Sequence, residues 1–383
     1  MGQWMDQVAR GWLLYDLTGS PLQLGLVGVI RVFPLILLSP VAGTMADRYG
    51  RKTQLTAAQV LNGAANLILA LLILHGGVEP WHVYATGLIA ATVQVFQGPA
   101  RQSMVPESVG RANLTNAIGL NSLAFNISRM LGPAAAGALI AIIGPGGSYM
   151  TQAAIFFAST VWTLQLGLPN RAPTSDFAHG RHRRTFKESM FDGWRYVLDN
   201  QTIRTGMIIS GVISFFGFAA TSLLPVFAKD ILKAGPQGQG LLLGAMGVGA
   251  VMSGLLLATL GDELPKGWII VGGVTVYGIV YIAFASSVSL ALSMGLMVIL
   301  GICNVASNTV IQTVLQAESS PDMRGRVMGI YQQHQILIAA GGLAAGALAS
   351  IWSAQIIVAV FGAACALGAL AVLFAFPNIR TIR

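Results

Sequence analysis

The stretch Gly43-Thr44-Met45-Ala46-Asp47-Arg48-Tyr49-Gly50-Arg51-Lys52 sets one acid, three cations and two glycines between long apolar runs, in a chain whose charged residues are only 9% of the total. Charge concentrated at the end of an apolar helix marks the point where the chain leaves hydrocarbon for water. On either side the composition agrees. With 54% hydrophobic residues, 46 glycines and 14 acidic side chains in 383 residues, the chain has too little polar surface to cover a soluble globule. Its mean hydropathy is +0.69.

A hydrocarbon core of about 30 Å needs roughly 20 apolar residues per helix. Apolar runs near 2–17, 22–42, 54–75, 82–100, 114–143, 148–168, 203–229, 238–260, 268–287, 290–316, 327–350 and 354–376 predict twelve spanning helices. Strands with alternating polar faces are not seen, so a helical bundle is favoured over a β-barrel. The first run is short: at about 1.5 Å per residue it covers only about 24 Å, so the first helix is expected to be truncated, with the natural start upstream of Met1. Cys303 and Cys365 sit in apolar runs without metal or redox spacing and are expected to be small packing residues.

Lys and Arg predict the orientation. Seventeen of the 22 fall in loops on one side, against Lys229 and Lys233 on the other, which makes the richer side cytoplasmic and leaves the C-terminus there. The net charge of +8 is then a topology signal, and a nucleic-acid partner is not expected. The polar stretch 170–202 divides six spans from six, giving an N-terminal bundle over 1–169 and a C-terminal bundle over 203–383. Within it Phe186, Met190, Phe191, Trp194, Val197 and Leu198 recur at helical spacing, which predicts an amphipathic helix on the inner leaflet, beside a basic run that meets anionic lipid.

The halves also repeat. A shift of 215 places Gly25-Leu26 on Gly240-Leu241 and Asp47 on Asp262, and a shift of 210 places Gln102 on Gln312 and Gly119 on Gly329. Parallel six-helix repeats are a transporter architecture.

The spacing G-x-x-x-D-R-x-G-R-K over Gly43, Asp47, Arg48, Gly50, Arg51 and Lys52 resembles the signature loop between the second and third helices of the major facilitator superfamily of secondary transporters. That resemblance implies a cytoplasmic gate latch. Its second-half counterpart around Asp262 lacks the Arg pair and should hold more weakly. The fifth span, with Gly119, Ser128, Gly132, Pro133, Ala136 and Gly137, resembles the antiporter motif of proton-linked exporters, and its small residues and proline suit a hinge. The run Trp12 to Pro21, then Pro99-Ala100-Arg101-Gln102 and Arg324 to Gly329, is similar to the exporter branch that includes enterobactin-type siderophore exporters.

Charged residues inside the spans are rare: Asp6 and Arg10 in the first, Arg31 in the second and Arg129 in the fifth. Asp6 and Arg10 share a helix face, and at about 1.5 Å per residue Asp6 and Arg31 both lie about 15 Å from the outer edge. Asp6 could carry a coupling proton or form a fixed salt bridge to Arg10 or Arg31. The surplus of cations could attract an anionic substrate or bond helix carbonyls. His334, in Gln332-Gln333-His334-Gln335, is a lesser titratable candidate. Gln59, Asn62 and Asn66 share one face of the third span, and Asn304, Asn308 and Gln312 share one face of the tenth. The resemblance implies that the first, fourth, seventh and tenth spans line the cavity, which favours the tenth-span stripe, with Phe215 of the seventh as an apolar wall.

No nucleotide loop, metal cluster or nucleophile with its base is present in the sequence, so neither an enzyme nor a cofactor is expected. The reading is an all-α membrane protein of the major facilitator fold, twelve transmembrane helices in two six-helix bundles, multi-pass in the bacterial inner membrane. It is expected to act as a monomer, exporting a small amphipathic or anionic molecule against protons. Nutrient uptake, or a transport-inactive receptor or scaffold, are the alternatives.

Overall fold

The computed structural model describes residues 1–48, 50–109, 113–166, 186–260 and 265–378. Among these the structure is helical, with no strand. Helix α1 (Gly2–Thr18) ends where Gly19 takes φ 62°, a left-handed turn natural to glycine, and closes its N–H on the Tyr15 carbonyl at 2.8 Å. Helix α2 (Pro21–Arg48) follows at once with proline in its first turn, where no amide partner is lost. Helix α3 (Arg51–Leu74) leads to α4 (Pro80–Ser108), capped by a reciprocal pair between Glu79 and His82.

Helix α5 (Leu114–Gln165) holds 52 residues. At about 1.5 Å per residue that is roughly 78 Å, more than two hydrocarbon thicknesses. It breaks at Gly144, whose φ of 74° and ψ of 173° no helix contains, with Pro145 behind it. The two rods correspond to the fifth and sixth expected spans. An amphipathic helix α6 (Phe186–Asp199) precedes α7 (Gln201–Val212). The seventh span then loses regularity: π-turns at Ile213–Gly217 and Phe227–Ile231 flank the short helices α8 (Ala219–Ser222) and α9 (Leu224–Val226), where Pro225 removes an amide donor.

Helices α10 (Gly235–Leu260), α11 (Lys266–Ala285) and α12 (Leu290–Glu318) are continuous, α13 (Pro321–Gln332) and α14 (His334–Ala349) split the eleventh span at Gln333, and α15 (Ala354–Ala375) closes the chain. Over the described residues, each of the twelve expected segments therefore lies mainly on helix. Seven helical stretches among the described residues are long and apolar enough by themselves to cross a membrane. Of the others, α1 is one turn or less too short at 17 residues, α4 carries Thr86, Thr92, Gln94 and Gln97 in its span, and the seventh and eleventh spans are interrupted.

The chain forms two compact units. The first holds Met1–Gln23, the chain from Val29 through α5, and Lys233–Gly244. The second holds Leu24–Gly28, the chain from α6 to Leu232, and Ala245 onward. Close helix approach in each depends on missing side chains, as expected where lipid supplies no hydrophobic drive between helices. In the first unit a Cβ on Gly132 would lie 2.6 Å from Cβ of Trp4, and one on Gly137 would lie 2.5 Å from the Pro236 carbonyl and 3.0 Å from Cα of Gly240. In the second, a Cβ on Gly362 would lie 2.7 Å from the Gly278 carbonyl.

Both units bury polar side chains within a largely apolar core and are apolar outside. Ile142, Trp162, Leu367 and Phe374 are 66–79% exposed, whereas Asp6, Arg10, Asn62, Asn66, Gln152 and Asn304 are buried. Such an exterior belongs in hydrocarbon. Helix α6 packs on α13 through Gly193, which faces Ile330 and Arg326, through an ion pair of Arg326 with Asp192 at 3.3 Å, and through the Ser320 amide, which donates to the Tyr196 hydroxyl at 3.1 Å. Its opposite stripe of Phe191, Trp194 and Leu198 is exposed. The first part of the linker, 170–185, lies outside the described residues.

Candidate functional site

In the first unit the helical spacing of Asp6 and Arg10 brings their charged ends together. Arg10 Nη2 donates to Asp6 Oδ1 at 2.7 Å and Nε donates to Oδ2 at 3.1 Å. The remaining nitrogen, Nη1, donates to the Val83 carbonyl at 2.6 Å and to Thr86 Oγ1 at 2.9 Å, both on α4. Gly87 leaves the room: a Cβ there would lie 3.3 Å from Arg10 Nη1. Arg31 of α2 adds one bond, Nη2 to Asp6 Oδ2 at 3.2 Å.

The two arginines are therefore unequal. Arg10 makes four bonds with its side chain 3% exposed, whereas Arg31 makes one with 37% of its side chain exposed. One acid facing two cations leaves a net positive charge inside a helical membrane bundle. Arg129 does not join them. Its guanidinium lies over the Trp4 ring at 5.8 Å, with no hydrogen bond or ion pair among the described residues.

In the second unit the polar stripe of α12 meets α13 through Tyr331, a residue the sequence reading passed over. The Tyr331 hydroxyl donates to Asn308 Oδ1 at 3.2 Å and accepts from Gln312 Nε2 at 3.5 Å. The His334 ring tilts over that of Tyr331, with centroids 4.9 Å apart, and its Nδ1 donates to the Tyr331 carbonyl at 2.7 Å. That bond leaves Nε2 as the acceptor facing Gln335. Asn304 is buried, and its Nδ2 has no hydrogen-bond partner among the described residues. Phe215 stands outside this network, edge to face with Phe216 at 4.9 Å and stacked on Phe361 at 6.2 Å. The aromatic hydroxyl three residues before His334 was the available signal. Replacing Tyr331 with Phe is expected to uncouple Asn308 from Gln312 at a cost of about 1 kcal/mol, read as a lower unfolding midpoint. An unchanged midpoint would show the network to be incidental.

Of the charged loop, Gly43, Asp47 and Arg48 lie on the last turns of α2, and the side chains of Asp47 and Arg48 are outside the described residues, as are Tyr49 and Asp262. Gly50 caps α3 at φ −44°, a conformation open to any residue. Lys52 Nζ donates to the Leu164 and Leu166 carbonyls at 2.8 and 2.7 Å, a cation on the free carbonyls at the C-terminal end of α5. Gly132 seats Trp4, while Pro133 and Gly137 seat Gly240. The amide stripe of α3 is buried, with Asn66 Nδ2 donating to the Asn62 carbonyl at 2.9 Å and Gln59 Oε1 without a partner among the described residues.

A bundle with hydrocarbon outside and paired charge within is a multi-pass membrane transporter. Over residues 1–382 the chain matches the family described as transmembrane secretion effector, and it belongs to that family. It is 27% identical over 336 residues to the multidrug efflux pump Tap of Mycobacterium tuberculosis, covering 86% of this chain and 79% of that one. It is 25% identical over 260 residues to the staphyloferrin A transporter of Staphylococcus aureus, covering 67% of this chain and 63% of that protein's length. Its fold is similar to that of a bacterial homologue of the human lysosomal transporter Spinster, with a TM-score of 0.67 at 16% identity over 99% of this chain and 93% of that one. The fold is the major facilitator fold, and the chain is a transporter rather than an enzyme.

Proposed function

We propose that this protein exports a small amphipathic or anionic compound across the bacterial inner membrane by alternating access, coupled to protons through Asp6. Its halves are 1–169 and 203–383, joined by 170–202, with the linker and C-terminus in the cytoplasm and the protein acting as a monomer. The observation that carries the reading is the unequal pair of arginines on one buried acid.

Arg10 bonds Asp6 through both oxygens and reaches α4, while Arg31 ties α2 to α1 by a single bond that weakens when Asp6 loses its charge. A proton on Asp6 removes the partner of Arg31 and frees α2. Asp47 lies sixteen residues further along the same helix, roughly 24 Å at 1.5 Å per residue. Release at Arg31 thereby reaches the latch of Asp47, Arg48, Arg51 and Lys52, with Asp262 as its weaker counterpart. Gly132, Pro133 and Gly137 act as the hinge. Asn304, Asn308, Gln312 and Phe215 contribute cavity surface, and His334 is a second titratable group. Efflux is favoured over uptake because relatives are described as a multidrug efflux pump and as a macrolide efflux protein.

Asp6→Asn keeps an oxygen for Arg10 and removes the titration. In proteoliposomes screened with a panel of dyes, drugs and siderophores, it is expected to abolish uphill, gradient-driven movement while leaving substrate exchange. Uphill transport by Asp6→Asn equal to wild type would end the proton reading.

A further inference from the structure

One face of α11 carries three buried aromatics, Tyr277, Tyr281 and Phe284, at the spacing i, i+4, i+7 that lines side chains up along a helix. Each meets the irregular seventh span of the same unit at a different level. The Tyr277 hydroxyl donates to the carbonyl of Gly217, the last residue of the first π-turn, at 3.3 Å. The Tyr281 hydroxyl lies 3.2 Å from that of Tyr277 and beside the Thr221 side chain of α8. The Phe284 ring packs on Phe227, the first residue of the second π-turn, with centroids 4.8 Å apart.

Both turns are closed by bonds reaching back five residues. The Phe218 N–H donates to the Ile213 carbonyl at 3.1 Å, and the Leu232 N–H donates to the Phe227 carbonyl at 2.8 Å. Each turn therefore holds one residue more than an α-turn. The ladder matches that surplus, since ten residues separate Gly217 from Phe227 on the seventh span and only seven separate Tyr277 from Phe284 on α11. Opposite α11, helix α14 closes on the same turn: a Cβ on Gly341 would lie 2.0 Å from the Phe215 carbonyl oxygen, and one on Gly217 would lie 2.7 Å from Cε1 of Tyr277. The first π-turn is thus gripped at backbone distance from two sides.

Returning the Phe218 N–H to the carbonyl four residues back would wind the span beyond it by one residue, about 100° at 3.6 residues per turn, and carry Gly217 away from Tyr277. We propose that the seventh span is a register switch. Tyr277 is the positioning residue that holds it in the π register, and the ladder of Tyr277, Tyr281 and Phe284 makes its two π-turns change together. Such turns within a helix are rare and recur at functional sites. A packed interface of this kind has discrete arrangements and does not deform continuously. The switch goes beyond the export reading and stands apart from Asp6, the coupling ion and the substrate.

Hydrogen exchange of the full chain in lipid nanodiscs, read by mass spectrometry, tests it without any ligand. Tyr277→Phe keeps the ring and removes the bond to Gly217. Amide exchange over 213–222 is expected to rise about fivefold, the equivalent of roughly 1 kcal/mol of lost hydrogen bonding, and to rise with it over 227–232, while α12 exchanges as in the wild type. Gly341→Ala should raise the same two segments further. Gly272→Ala, on α11 with nothing within 4 Å of its would-be Cβ, should leave both unchanged. If Gly341→Ala fails to fold, the other two variants decide the matter. Unchanged exchange in Tyr277→Phe, a rise confined to 213–222, or a rise shared by every helix overturns the switch, the last because it reports only lost stability. Failure of the proton or export readings leaves these exchange rates untouched.

Discussion

Replacing Arg10 with Met is expected to destabilise the folded protein by about 3–5 kcal/mol, the usual consequence of stranding one member of a buried ion pair. Among the described residues, the guanidinium of Arg10 is the only group that bonds Asp6 through both oxygens and also reaches α4, through the Val83 carbonyl and Thr86. Met fills much of the space but leaves Asp6 with one bond from Arg31 and two α4 acceptors with one donor fewer. Arg31→Gln should behave differently. Its side chain is 37% exposed and makes one bond at 3.2 Å, so screening by solvent reduces its worth to about 1 kcal/mol or less. Unfolding of both variants in one detergent mixture, followed by near-ultraviolet circular dichroism, should show a large shift for Arg10 and a small one for Arg31. Equal shifts would mean that the two arginines are interchangeable, and the release mechanism would lose its basis.

The second large effect is expected at Gly137. Alanine places a Cβ 2.5 Å from the Pro236 carbonyl, 3.0 Å from Cα of Gly240 and 3.2 Å from Cα of Gln237. All three are backbone atoms, so no side chain can swing away and the helices themselves must part. Overpacking of this kind costs about 1–3 kcal/mol. Gly119, on the same helix, has nothing within 4 Å of its would-be Cβ. There alanine should be neutral or stabilising by up to about 1 kcal/mol, because it removes the entropic penalty of a helical glycine. Transport by Gly137→Ala should fall with stability while Gly119→Ala transports normally. Two variants of equal stability and activity would show that the fifth-span glycines answer to no close approach.

The contrast between Gly137 and Gly119 also marks how much could be read from the chain. Hydropathy located every span, because a membrane helix must satisfy its backbone internally and announces itself over some twenty residues. The pairing of Asp6 with Arg10 was legible from i,i+4 spacing, and the depth match of Arg31 from arithmetic along the helices. What stayed hidden depends on neighbours distant in sequence. Nothing in Gly119 or Gly137 says which one meets Gly240. Tyr331 reads as one more aromatic in an apolar run until α12 lies beside it. Arg129 carries the same charge as Arg10, and only packing decides that one faces a carboxylate and the other an indole.

The contact between α6 and α13 has a consequence for how the protein is made. Asp192 and Arg326 are 134 residues apart, and Tyr196 and Ser320 are 124 apart. At roughly 5–20 residues per second, the ribosome delivers α13 some 6–27 s after α6. Throughout that delay α6 has its neighbour α7, whose Arg204 donates to the Leu198 carbonyl at 3.0 Å, but lacks the α13 side of its packing, and several later spans must insert before it arrives. The stripe of Phe191, Trp194 and Leu198 gives the waiting helix a place at the bilayer surface. Its apolar face thus serves the schedule of synthesis as well as the finished fold.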